Sequence, residues 1–104
     1  MNKRKINISI NLLTWNGEKY LPWLLQSLKE QTFKNWELLV LDNSSPDKSV
    51  EIIKQYCPEA KIIKQKENIG FARGHNLLIN WSDSDYILVL NQDVILDKDY
   101  LEKI

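Results

Sequence analysis

A chain of 104 residues makes one domain, and folding can bury only about 60–65% of the surface that its unfolded form exposes. Its 14 basic and 14 acidic residues cancel, which removes the long-range field that would draw nucleic acid or an anionic membrane. An apolar share of 43% and a charged share of 27% exclude a disordered or fibrous chain. The single cysteine, Cys57, excludes a disulfide framework and a cysteine metal cluster, and reads as a small buried hydrophobe near a helix end. Lys3, Arg4 and Lys5 read as a solvated end that leads into no signal-peptide core, and no run reaches the ~18 apolar residues of a membrane span. The expectation is a soluble protein of a reducing cytoplasm.

Ile6, Ile8, Ile10 and Leu12 alternate with Asn7, Ser9 and Asn11, a period of two that predicts a first strand. After Thr14-Trp15-Asn16-Gly17 the period changes. Leu21, Leu24, Leu25 and Leu28 mark one face of a helix, with Pro22 in its first turn, where a missing N–H costs nothing. Trp36 to Leu41 predicts a second strand, and its unbroken Leu38-Leu39-Val40-Leu41 run suggests cover on both faces. Asp42-Asn43-Ser44-Ser45-Pro46-Asp47 is dense in turn and capping residues. A serine ahead of Pro46 is the expected start of a second helix that carries Val50, Ile53 and Tyr56 to Pro58.

Ile62-Ile63 predicts a short third strand, and Asn68-Ile69-Gly70 a turn into a third helix over 72–81, with Leu77, Leu78 and Trp81 inward. Tyr86 to Leu90 is the fourth strand, and Lys98 to Ile104 begins another helix. Strands alternating with helices of this length imply βαβ units and a parallel, Rossmann-like sheet. One misfit stands out: a central parallel strand should not carry Asn7, Ser9 and Asn11 on one face. That face is expected to be thinly covered, or covered by a part not in this sequence.

Parallel sheets bind ligands beyond the carboxyl ends of their strands. Four polar clusters fall there: Thr14-Trp15-Asn16, Asp42 to Ser45, Asn68-Ile69-Gly70 with Arg73, and Asn91-Gln92-Asp93. Asp93, just past an apolar strand, is a hard oxygen ligand suited to Mg²⁺ or Mn²⁺ bridging a diphosphate, or else it caps the turn that follows. Arg73 could pair with phosphate or stack on a base, or sit exposed on its helix. Asp42 could accept from a pyrimidine N–H or form an Asx turn. Gly70 is expected to supply a positive φ or a close approach. His75 has no neighbouring Cys or second His and reads as a helix-surface residue. Trp15, Trp23, Trp36 and Trp81 are expected in the core for the most part, with Trp15 at the ligand edge and able to meet a base.

The strand ending in Thr14-Trp15-Asn16 resembles the opening strand of family 2 glycosyltransferases. Gln31 to Glu37, followed by a strand and Asp42-Asn43-Ser44-Ser45, resembles that family too, as do Asn68-Ile69-Gly70-Phe71-Ala72 with Asn76. Leu90-Asn91-Gln92-Asp93 resembles its metal motif. The likeness implies the N-terminal, nucleotide-sugar-binding half of a GT-A fold, with strand order 3-2-1-4 and helices on both faces. By the same likeness Thr14, Trp15, Asn16, Asp42, Asn68, Gly70, Arg73, Asn91 and Asp93 would bind the donor. Asn91 stands where the family usually has aspartate, as in the rhamnosyltransferase-like branch. It suits a ribose hydroxyl but is a poorer metal ligand, leaving Asp93 to hold Mg²⁺ or Mn²⁺ on the protein side nearly alone.

The implied reaction is inverting transfer from a UDP- or dTDP-sugar to a hydroxyl of a saccharide or lipid-linked acceptor. Family members continue well past this length, and the likeness puts their acceptor site and general base in that further part. This implies no catalytic residue within these 104 residues. In the longer protein the inner face of the membrane is a possible location. The rival reading is a non-catalytic nucleotide-binding or interaction module on a flavodoxin-like sheet. Neither G-x-G-x-x-G nor G-x-x-x-x-G-K-[ST] occurs, which excludes the dehydrogenase and P-loop classes. Asp83-Ser84-Asp85 spells D-x-D outright, yet it precedes strand four and is expected at the wrong end of the sheet. The bare edge of that strand is expected to support a homodimer.

Overall fold

The computed structural model describes residues 7–104, so Ile6 and the basic Lys3, Arg4 and Lys5 lie outside the described residues. Four strands, β1 (Ile8–Thr14), β2 (Trp36–Asp42), β3 (Lys61–Lys64) and β4 (Tyr86–Leu90), form one parallel sheet in the order β3-β2-β1-β4. The helices are α1 (Leu21–Lys29), α2 (Ser49–Tyr56), α3 (Phe71–Trp81) and a single closing turn, α4 (Tyr100–Lys103). The parallel sense is the one the alternating periods imply, and the strand order is the one the family resemblance implies.

The unbroken apolar run of β2 is explained by cover on both faces. Leu38 and Val40 join Ile8, Ile10 and Leu12 of β1 beneath the α1 leucines and Ile53 of α2. Leu39 and Leu41 turn the other way, against Leu78 of α3. All four are at most 2% exposed, and at about 1.5–3 kcal/mol each they contribute on the order of 6–12 kcal/mol before chain entropy is charged against them. Cys57 is buried in the first cluster; burial and the nearby Glu59 carboxylate push its thiol up to about 12.

The polar row of β1 is resolved differently from either expectation. Ser9 and Asn11 are wholly buried, and the segment around the end of α3 meets them. The Ser9 hydroxyl pairs with that of Ser84 at 2.7 Å and reaches Glu37 Oε2 at 3.2 Å, while Ser82 Oγ donates to Asn11 Oδ1 at 3.1 Å.

Four further expectations are corrected. Helix α2 starts at Ser49, not at a serine before Pro46, because the Ser45 hydroxyl is taken by Asp42 and the Ser49 amide finds Asp47 Oδ1 at 3.0 Å. The inward face of α3 is Gly74, His75 and Leu78, leaving Leu77 and Trp81 exposed. Gly74 sets that phase: a Cβ there would overlap Leu13 Cδ1, so the helix closes on β1 along its one bare position. His75 is therefore buried, not on the surface, with Phe71 edge-on at 4.4 Å, and burial lowers its pKa. Of the tryptophans, Trp15, Trp23 and Trp81 are exposed, and only Trp36, half-buried against the first cluster, joins the core as expected. Along the outer strand, Tyr86, Ile87 and Val89 are exposed as well.

Candidate functional site

Parallel register aligns the strand ends: Thr14 lies opposite Asp42, and Leu12 opposite Leu90. The three loops leaving β1, β2 and β4 therefore start from one edge. Among the described residues, the non-glycine positions with positive φ are Asn16 (φ 53) and Ser44 (φ 68), both on this edge. Left-handed backbone at non-glycine residues is strained, and such strain gathers at functional loops.

Side chains of the β2–α2 loop hold the β1–α1 loop in place. The Asn16 amide donates to Ser45 Oγ at 3.0 Å, the Gly17 amide to Ser49 Oγ at 2.9 Å and the Glu18 amide to Asp47 Oδ2 at 3.0 Å. In return the Lys48 amide donates to Glu18 Oε1 at 2.9 Å. Burial works to raise the Asp47 carboxyl, but the Ser49 hydroxyl with the Glu18 and Ser49 amides outweighs it and holds the group below its ordinary value.

Asp42 is 3% exposed, and its carboxylate takes both the amide and the hydroxyl of Ser45, which is the turn-forming alternative. A carboxylate has about four acceptor positions, so two remain. Asn43, which sequence reasoning quoted but did not single out, joins β2 to the next loop. Its Oδ1 accepts the Ile69 amide at 2.8 Å and its Nδ2 donates to Gly70 O at 3.2 Å. Asn68 Oδ1 accepts the Gly70 amide at 2.8 Å. Gly70 sits at φ 87 with open space where a Cβ would be, so conformation and not close approach selects glycine. Arg73 is exposed on the first turn of α3.

A cavity of about 370 Å³ opens where these loops meet. Trp15, Tyr20 and Phe71 give it aromatic walls over Leu13, and Asn91, Gln92 and Asp93 supply its polar side. Of the nine expected site residues, Trp15, Asn91 and Asp93 share this cavity. Thr14 lies beneath them, buried, and donates to Gln92 Oε1 at 2.8 Å. Asn16, Asn68 and Gly70 on adjoining loops, Asp42 at the end of β2 and Arg73 in the first turn of α3 do not line it. Sequence reasoning missed Tyr20, Phe71 and the side chain of Gln92. A larger hollow of about 450 Å³ lies between the amino end of β4 and α4, among Ile8, Tyr86, Leu88 and Leu101, away from the polar loops.

Asp83 and Asp85 are exposed and precede β4. Five strand residues at ~3.3 Å each separate them from Asp93 by roughly 16 Å. Among the described residues no three His, Cys, Asp or Glu side chains gather as a prebuilt metal cage. Mg²⁺ and related ions are commonly held by one or two carboxylates plus substrate phosphates and water. The exposed Asp93 carboxylate beside Asn91 fits that lighter arrangement. Among the described residues no helix is long and apolar enough to cross a membrane.

Residues 9–104 match the family described as Glycosyl transferase family 2. An uncharacterized glycosyltransferase of Haemophilus influenzae is 35% identical over 99 residues, spanning 92% of this chain and 40% of that protein. One from Methanocaldococcus jannaschii is 36% identical over 101 residues, spanning 92% of this chain and 35% of its own length. The chain thus spans well under half of these relatives. Among solved structures, residues 1–349 of Staphylococcus aureus TarS in complex with UDP superpose with a TM-score of 0.88, at 26% identity over 93% of this chain and 30% of that one. The mannosyltransferase PcManGT of Pyrobaculum calidifontis shares the fold at a TM-score of 0.83 and 17% identity, over 94% and 31% of the two chains.

Proposed function

The chain belongs to glycosyl transferase family 2, and on that premise we propose that its carboxyl-edge cavity is the donor site for a nucleoside-diphosphate sugar. One observation carries the reading: Trp15 is far in sequence from Asn91 and Asp93, yet all three line a single cavity at the end of the sheet where such ligands bind. A uridine donor is the first choice, supported by TarS, whose structures include complexes with UDP and UDP-GlcNAc. A dTDP-sugar is the second.

In this reading Trp15 meets the base, and Asn91 hydrogen-bonds the ribose. Asp42 uses its remaining acceptor positions toward the pyrimidine N–H, and Arg73 reaches the phosphates from the first turn of α3. Thr14, Asn16, Asn68 and Gly70 hold the loops that shape the site. Asp93 would hold Mg²⁺ or Mn²⁺, which when bound neutralises charge on the leaving diphosphate. The whole protein would carry out inverting transfer to a saccharide or lipid-linked hydroxyl. Its acceptor site and general base are proposed to lie in what corresponds to the rest of the longer relatives.

The test is a UDP titration with and without Mn²⁺. Asp93→Ala is expected to abolish the metal dependence of binding, whereas Asp83→Ala combined with Asp85→Ala leaves it nearly intact. The reverse pattern would overturn the site.

A further inference from the structure

The β1–β4 ladder ends at Leu12 opposite Leu90, and β4 then runs into a turn. Two residues on, Gln92 Oε1 accepts the Thr14 hydroxyl at 2.8 Å and the Trp15 amide at 3.2 Å, while its Nε2 donates to the Trp15 carbonyl at 3.1 Å. A primary carboxamide offers the same acceptor and donor as a peptide unit. The side chain therefore continues the ladder where the β4 backbone has left it. Glutamate would turn an acceptor toward the Trp15 carbonyl, methionine would offer neither group, and asparagine is one methylene short.

Gly17 provides an independent sign that the arrangement is built in. Its φ is not in the left-handed region, so backbone conformation does not demand glycine. Space does: a Cβ there would overlap Gln92 Oε1 and stand 2.8 Å from Thr14 Oγ1. The loop after β1 is thus shaped around the Gln92 amide.

We propose that Gln92 is a positioning residue of the donor site. It clamps the Trp15 loop to the Asn91–Asp93 loop, so that the aromatic wall and the carboxylate of the cavity stand in a fixed relation before ligand arrives. Pre-set geometry of this kind strengthens binding by removing an ordering cost. The inference rests on the donor-site reading for its ligand, but the clamp itself is a property of the free chain and is measured there too.

Gln92→Met is expected to raise the Kd for UDP in Mn²⁺ about tenfold, equivalent to ~1.4 kcal/mol. The same variant should speed hydrogen exchange at the Trp15 amide without changing exchange at Leu12 or Val40. Gln92→Glu keeps the acceptor for the Trp15 amide and loses only the donor to the Trp15 carbonyl, so it should speed Trp15 exchange less than Gln92→Met does, which separates the two halves of the amide's pattern. In unfolding experiments Gly17→Ala should destabilise the parent chain and cost less in a Gln92→Ala background, where the overlap with Gln92 Oε1 is gone and only the close approach to Thr14 Oγ1 is left. If the parent chain binds no UDP, the donor-site reading fails, and Trp15 exchange together with the Gly17–Gln92 cycle still decides the clamp. Unchanged Trp15 exchange in Gln92→Met, or simple additivity of Gly17→Ala and Gln92→Ala, would overturn it. So would an unchanged UDP affinity in a parent chain that binds.

Discussion

Replacing Asn43 by alanine removes the link between the end of β2 and the loop that enters α3. The side chain is 1% exposed and makes two bonds, from the Ile69 amide at 2.8 Å and to the Gly70 carbonyl at 3.2 Å. The two losses are unequal. Gly70 O keeps the Gly74 amide at 3.2 Å, and Gly70 is exposed, so water reaches it. The Ile69 amide sits in a half-buried residue and loses its carboxamide partner outright. An unsatisfied buried donor costs about 1–3 kcal/mol, and partial solvent access puts this one toward the middle of that range. With the weaker bond to Gly70 added, Asn43→Ala should destabilise the chain by about 2 kcal/mol. For a domain of this size that lowers Tm by roughly 8–15 °C. Urea unfolding with an unchanged slope is the assay, since a changed slope would signal a different compactness and not a lost contact. Asn43→Asp, which keeps the acceptor for Ile69 but faces a carboxylate to the Gly70 carbonyl, should recover less than half of the loss. A cost below about 0.5 kcal/mol for Asn43→Ala would show that the Ile69 amide finds water readily and that this link carries little.

Burial lowers the pKa of His75, whose unfolded value is about 6.5. The unfolded chain therefore binds the proton more readily, and stability present above that pH is lost as pH falls below it. Urea midpoints measured from pH 7 to 5.5 should fall in the parent chain and flatten in His75→Met; parallel slopes would refute the assignment. At the open edge, Tyr86, Ile87 and Val89 expose an apolar strip on β4, which among the described residues is paired on one side only, with β1, and a second copy of the chain is the proposed partner. Light scattering at high concentration should give a mass near twice that of one chain, and Ile87→Lys should return it to one. A monomeric parent would remove the proposal.

The periodic parts of this protein are determined by the sequence alone. Alternation in β1, the unbroken run of β2, the Tyr86–Leu90 span of β4 and Pro22 in the first turn of α1 depend on neighbours a few residues away, so a local pattern records them. Asp93 and Asn91 could be placed at the ligand edge for the same reason, since each follows a strand that announces itself. What only the tertiary structure decided involves partners far apart in the chain. Gln92 reads as a filler between two polar residues until β1 stands beside β4, 77 positions away. Asn43 gains its role when the Ile69 loop folds over it. The phase of α3, and with it the burial of His75 and the exposure of Trp81, follows from the close approach at Gly74, where a missing side chain outweighs the apolar pattern of Leu77, Leu78 and Trp81. The Ser9–Asn11 row shows the same logic: polarity on a central strand looks like exposure in one dimension. In three it is a buried face met by Ser82 and Ser84, because a hydrogen bond satisfies the buried Ser9 hydroxyl and the Asn11 carbonyl oxygen as well as solvent does, although the Asn11 Nδ2 has no partner among the described residues.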